Sequence, residues 1–167
     1  MVLLGLVVRG GATPVDVWFQ LRGAPLHWLL VFTDPRTVGV LLITALVVAL
    51  VRRLWALLPM IVLAPFASVL ASSSLKPMFG RMKEQSLAYP SGHTTVMVVV
   101  LGMLILAVGA RRWLVVAAAV FAALGVLGQS VTRHYFTDAV GAVLLGTSLV
   151  CVFAAILHPL HRPFICR

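Results

Sequence analysis

Lysines, arginines, two histidines and one aspartate gather at three points of this chain, and together they hold the parts needed to handle a phosphoryl group. The first cluster is Lys76-Pro-Met-Phe-Gly-Arg81-Met-Lys83, the second Pro90-Ser91-Gly92-His93, and the third Arg133-His134-Tyr-Phe-Thr-Asp138. Phosphoryl transfer asks for cations around the equatorial oxygens, an activated nucleophile and an acid for the leaving oxygen. Lys76, Arg81 and Lys83 supply the cations. Ser91 as an N-cap leaves the amides of Gly92 and His93 pointing outward at a helix N-terminus, a site that attracts anions, and Gly92 lets the backbone come close to a phosphate. His134 and Asp138 share a face on a helical turn, where the carboxylate can fix the imidazole tautomer and stabilise its charged form. That makes His134 the better nucleophile. His93, with no acid adjacent in sequence, is the better proton donor to the leaving alkoxide.

The elements that must position these clusters are membrane helices. The 167 residues are 62% hydrophobic and only 10% charged, against about 25% charged in soluble domains, and the mean hydropathy is +1.11. Since each spanning helix needs about 20 apolar residues, the length suits one domain over residues 1–167. Five segments read as spans: Pro35 to Val51, Leu54 to Leu75, Ser91 to Ala110, Trp113 to Thr132, and Asp138 to Leu157. The expected fold class is therefore all-α, a polytopic transmembrane helix bundle of five clear spans plus a partial N-terminal one. Asp34-Pro35 reads as a helix start, while Pro59 and Pro65 are places for the second span to kink. The pairs Arg52-Arg53 and Arg111-Arg112 leave connections so short that neighbouring helices must run antiparallel.

Because each span crosses once, the connections sort by side. Arg52, Arg53, Arg111, Arg112, Arg162 and Arg167 fall on one face with no acid among them, which predicts that face to be cytoplasmic, the tail 158–167 included. Asp16, Asp34, Glu84 and Asp138 fall on the other face, together with Lys76, Arg81, Lys83, His93, Arg133 and His134. All three clusters are thus expected at one mouth of the bundle, on the non-cytoplasmic side, in a plasma (inner) membrane.

Residues 1–34 read as a partial first helix and an interfacial segment. Met1 to Val8 looks like the last third of a span, ended by Gly-Gly-Ala-Thr-Pro, and lacks the basic start and small-residue cleavage site of a signal peptide. It either continues upstream or lies at the interface with the amphipathic stretch Leu26 to Phe32. Cys151 lies in an apolar run and Cys166 beside the C-terminus, so no mutual disulfide is expected.

Plainer readings compete for some of these residues. A net charge of +9 without a basic stripe or interleaved aromatics points to anionic lipid and not to nucleic acid. Two imidazoles and a carboxylate, His93, His134 and Asp138, are a possible zinc set, but cations beside them favour an anion over a metal. His27, His158 and His161 read as interfacial contacts and Arg133 as a snorkelling anchor.

From Lys76 to Asp138 the chain resembles the type 2 phosphatidic acid phosphatase superfamily. That family carries Lys-x6-Arg-Pro, Pro-Ser-Gly-His and Ser-Arg-x5-His-x3-Asp motifs in this order. The resemblance implies a six-helix membrane phosphatase with no metal or cofactor. It assigns Lys76 as first cation, Ser91 and Gly92 as phosphate donors, His93 as acid, His134 as nucleophile and Asp138 as its partner. Two positions depart from the family pattern: Lys83-Glu84 stands for Arg-Pro and Leu127-Gly128 for Ser-Arg. Arg81 is near enough to cover the first change, and Gln129, Ser130 and Thr132 offer neutral donors for the second. The expected activity is hydrolysis of a lipid phosphate drawn from the bilayer: a polyprenyl phosphate or diphosphate, phosphatidate or a lipid-linked sugar phosphate. The alternatives are a lipid phosphotransferase using the same site and a catalytically impaired lipid-phosphate binder. The sequence leaves the oligomeric state open.

Overall fold

A computed structural model describes residues 1–21, 24–83 and 86–160, with the side chains of residues 24 and 158–160 excepted. Glu84, His161, Arg162, Cys166, Arg167 and the His158 side chain, all placed above from the sequence, lie outside the described residues.

Among the described residues the fold is all-α apart from one small hairpin. Two short helices, α1 (Val2–Val7) and α2 (Pro14–Gln20), precede a 3-10 helix (Ala24–Thr33). The long helices follow: α3 (Pro35–Val51), α4 (Leu57–Phe79), α5 (Gly92–Val108), α6 (Arg112–Thr132) and α7 (Phe136–Leu160). Between α4 and α5, strands β1 (Met82–Lys83) and β2 (Ser86–Leu87) pair antiparallel, with Lys83 opposite Ser86.

Among the described residues, four stretches are long and apolar enough to cross a membrane: Pro25–Val51, Leu57–Phe79, Arg112–Thr132 and Phe136–Leu157. By length and composition this is an integral membrane protein. Gly92–Val108 is apolar but shorter, at 17 residues. Large apolar side chains such as Ile43, Leu63, Phe66, Leu70 and Val116 point outward, as they must where the solvent is lipid.

The short helix is the central one. It packs against α3, α4, α6 and α7, and buries Thr94, Thr95, Met97, Val99, Val100, Leu101, Met103 and Ala107. A helix apolar on all sides belongs in the middle of a bundle. Arg52, just past α3, closes the far end of α5 by donating from Nη1 to the carbonyls of Ala107 and Val108 at 2.8 and 2.7 Å. These are orphan acceptors at a helix C-terminus.

Local chemistry explains the ends. Asp34 accepts the Arg36 amide at 2.8 Å and Pro35 opens α3, as the Asp-Pro pair predicts. The second span runs on past the expected Leu75 to Phe79, with Lys76 and Pro77 inside it, and stops at Gly80, whose φ of 59° is left-handed. Pro59 falls in the first turn of that helix, where a missing N–H costs little.

The N-terminal segment joins the bundle. Leu26 to Phe32 lies in the 3-10 helix, which leads directly into α3 and packs along α6. Phe32 meets Phe121 edge-on with centroids 4.8 Å apart, and Gln129 Nε2 donates to Thr33 Oγ1 at 2.6 Å. The approach is so close at Gly128 that a Cβ built there would stand 2.7 Å from the Leu29 carbonyl carbon and oxygen. Helix α1 packs on the other flank, where Val8 lies in one apolar cluster with Phe79 and Tyr89. The Tyr89 hydroxyl donates to the Met1 carbonyl at 2.7 Å.

Candidate active site

A cavity of about 600 Å³ opens where the C-terminal part of α4 meets the N-terminus of α5. Lys76, Gly92, His93 and His134 line its polar end, with Ser86 and Leu87 of the hairpin at the rim. Thus both histidines, the first-motif lysine and the glycine of Pro-Ser-Gly-His meet around one space, although the sequence separates them by up to 58 positions (134 − 76). The rest of the wall is mostly apolar: Val38 and Leu42 from α3, Pro65 and Val69 from α4, and Val96 and Val100 from α5. Val69 is also exposed, so the apolar wall borders the outer surface of α4.

The N-terminus of α5 meets the cavity through Gly92 and His93. Ser91 is the N-cap in extended conformation but makes no side-chain cap bond, since its hydroxyl accepts from Thr94 Oγ1 at 3.2 Å. The first-turn amides therefore lack the usual cap acceptor. Ser91 is itself buried and reaches α7 through its backbone, its N–H donating to the Asp138 carbonyl at 3.3 Å. It fixes the turn from behind and does not line the cavity.

Arg81, expected among the phosphate-binding cations, is placed elsewhere. Its side chain is fully buried and its guanidinium is committed to protein: Nη1 donates to Asp138 Oδ1 at 2.6 Å, and Nη2 to Asp16 Oδ2 at 2.7 Å and to the Gly11 carbonyl at 2.8 Å. A charge with two acids in reach stays with them, because leaving them would strand buried carboxylates. Lys83, on β1, sits over the Tyr135 ring at 5.2 Å and is not part of the cavity wall. Arg133 is exposed at the end of α6.

The neutral donors suggested for the altered third motif are also occupied. Ser130 and Thr132 bond back to the carbonyls of Val126 and Gly128, and Gln129 donates to Thr33. Thr33 is what reaches the cavity. Position 128 itself is filled by the Leu29 backbone.

His134 lies just beyond α6, its side chain 16% exposed, with Nδ1 buried and 4.0 Å from Asp138 Oδ2. Among the described residues that nitrogen has no hydrogen-bond partner. Burial pushes the imidazole down to about 4, and the positive charges of Lys76, His93 and Lys83 add to the effect, while the nearby Ala88 carbonyl opposes it. At neutral pH the ring is therefore uncharged. Asp138 Oδ2 meanwhile accepts the Tyr135 amide at 3.1 Å.

Asp16 is the participant that the sequence reading missed, having placed it only by side. Its carboxylate accepts from Thr13 N at 2.9 Å and Thr13 Oγ1 at 2.8 Å, and from Thr137 N at 2.9 Å, besides Arg81. The available signal was scarcity. With only four acids in the chain, an aspartate in a Thr-x-x-Asp capping box needs a partner if it is buried.

Among the described residues, no three His, Cys, Asp or Glu side chains are grouped to hold a metal ion. Compared with known proteins, the chain matches no family model, no curated protein and no solved structure.

Proposed function

We propose that this protein is an integral membrane phosphatase of the type 2 phosphatidic acid phosphatase kind, hydrolysing a lipid phosphate through a phosphohistidine. The observation that carries the reading is the convergence of His93, His134, Lys76 and the α5 N-terminus on one cavity. Nε2 of His134 attacks phosphorus while the bond to the lipid oxygen breaks, and His93 gives that oxygen its proton. Water then attacks the phosphohistidine with His93 taking its proton, and inorganic phosphate leaves. Lys76 and the amides of Gly92 and His93 hold the equatorial oxygens as charge redistributes.

The apolar wall supports a lipid as substrate. From Lys76 to Pro65 the cavity follows α4 for about 16 Å at 1.5 Å per residue, enough to take the first part of a hydrocarbon chain beside the phosphate. In this reading all five long helices span the membrane. The site faces the non-cytoplasmic side, opposite the Arg52-Arg53 and Arg111-Arg112 connections.

Purified protein in detergent, given a panel of polyprenyl phosphates and diphosphates, phosphatidate and lipid-linked sugar phosphates, should release inorganic phosphate from at least one. Release only when a second lipid or sugar acceptor is present would make it a phosphotransferase. The filled position 128 favours one further reading, a lipid-phosphate binder of low turnover. Retention of lipid phosphate without release across the panel would select it.

A further inference from the structure

Behind the cavity lies a buried cluster that the phosphoryl chemistry above does not use in full: Asp16, Arg81 and Asp138, each fully buried at the side chain. Two acids share one guanidinium. The cluster therefore carries one surplus negative charge, and Asp138 is the member that turns toward His134. We infer that Asp16 is a positioning residue for the phosphoryl site: by holding one arm of Arg81 it keeps the guanidinium from neutralising Asp138, whose carboxylate then remains available to the phosphorylated, positively charged His134. The inference rests on His134 being the nucleophile.

The geometry of arginine makes the division necessary. A guanidinium facing a single carboxylate pairs its two parallel N–H arms with both oxygens. Here Asp16 takes Nη2 at 2.7 Å, Asp138 receives only Nη1, at 2.6 Å, and its Oδ2 is left on the His134 side. Without Asp16 the fork would be free to close on Asp138 and draw Oδ2 off the imidazole. Asp16 is itself well held. Burial pushes its carboxyl up, but donors from Thr137, Thr13 and Arg81 outweigh this and leave it below the usual carboxylate range. Lys76 and His93 act on His134 from the cavity wall and Lys83 from the hairpin strand β1, and Tyr89, its phenol pushed up to about 12 chiefly by burial, stays protonated beside Asp138.

The ring that attacks through Nε2 already carries its proton on Nδ1; phosphorylation leaves that proton in place and gives the ring a positive charge. Oδ2 must then close the 4.0 Å gap. A neutral Arg81–Asp138 pair offers that ring nothing, whereas a cluster with surplus negative charge does.

The test is a charge-restoring series assayed with a lipid phosphate that the wild type hydrolyses. Asp16→Asn keeps the oxygen that accepts the Thr137 amide but removes the charge, and should lower kcat by about tenfold or more, the scale of one charge contact near the reacting ring. KM should move less, because no phosphate contact changes. Adding Arg81→Gln restores the surplus negative charge, and the double variant should recover much of the lost kcat. A double variant no faster than Asp16→Asn, or an Asp16→Asn enzyme with wild-type kcat, overturns the inference. A fold-only role makes the second loss add to the first.

Titration of 15N-labelled His134 by NMR reads the same coupling without turnover. The midpoint should fall in Asp16→Asn and rise again in the double variant, and an unchanged midpoint across the series overturns the inference. Should Asp16→Asn not fold, Arg81→Gln alone must raise the midpoint, and failure to do so is equally fatal. If the wild type releases no phosphate from any lipid, the reading of the site fails, and the NMR series still decides whether Asp16 sets the charge beside His134.

Discussion

Asp138 offers its Oδ2 to His134 from 4.0 Å, outside hydrogen-bonding distance, while its Oδ1 is bound by Arg81 at 2.6 Å. The two groups are therefore not hydrogen-bonded. In the proposed reaction the carboxylate becomes useful when the ring acquires charge.

Replacing either histidine should separate their roles. His134→Ala should remove measurable phosphate release, and His93→Ala should cost on the order of 10² to 10⁴ in kcat with a lipid alkoxide leaving group. With p-nitrophenyl phosphate, whose leaving group needs no proton, His93→Ala should form the phosphohistidine and stall. Mass spectrometry should find an acid-labile phosphate on residue 134. Label on another residue, or full turnover in His134→Ala, would refute the nucleophile assignment.

His134 also makes stability depend on pH. Its folded pKa of about 4 lies below the ordinary value of about 6.5, so between these values the unfolded chain binds a proton that the folded chain refuses. Stability from this group is complete above about pH 6.5 and is lost as pH falls toward 4. Thermal melts in detergent should show that loss, and His134→Gln should flatten it. Lys76→Met removes the largest charge contribution after burial and should raise the His134 midpoint in an NMR titration.

Restoring the arginine that the family pattern has at position 128 should harm the protein. Gly128→Arg puts a Cβ 2.7 Å from the Leu29 backbone before the rest of the side chain is placed, and overpacking of this kind costs about 1–3 kcal/mol or more. The expected result is a lower Tm and no gain in activity. A stable Gly128→Arg enzyme with higher kcat would show that the 3-10 helix can move away from α6.

Gly39 gives a cleaner test of the apolar wall. It lines the cavity, and a Cβ there meets no heavy atom within 4 Å. Gly39→Leu should therefore be tolerated, with about 0.5–1 kcal/mol gained from helix propensity. By filling part of the wall it should reduce kcat/KM for long-chain substrates about tenfold while sparing a short-chain phosphate of the same head group, roughly the loss of one or two buried methylenes. Equal effects on long and short chains would place the hydrocarbon elsewhere.

Much of the site was legible because helix parity is a strong constraint. Lys76 ends one long helix, His93 begins the next, and His134 follows the one after, so each reversal returns the chain to the same end of the bundle. Arg81 was misread for the opposite reason. As an isolated letter beside Lys76 it resembled another phosphate cation, and only the arrival of Asp16, 65 residues earlier in the chain, and Asp138, 57 residues later, shows where its charge is spent. Gly128 was equally opaque. It stood as a missing arginine until the 3-10 helix was seen filling its place.

The amino-acid order by itself determined that this chain belongs in lipid, the order and rough placement of its long helices, and which end of the bundle collects the histidines. Apolar length, breakers and the alternation of crossings are local or countable properties. Tertiary packing alone decided which acid each buried cation serves and which backbone occupies the space beside α6. It also decided that the cavity continues as an apolar wall beside α4. Those outcomes depend on distances between segments far apart in the chain, where burial makes a charge keep its nearest partners.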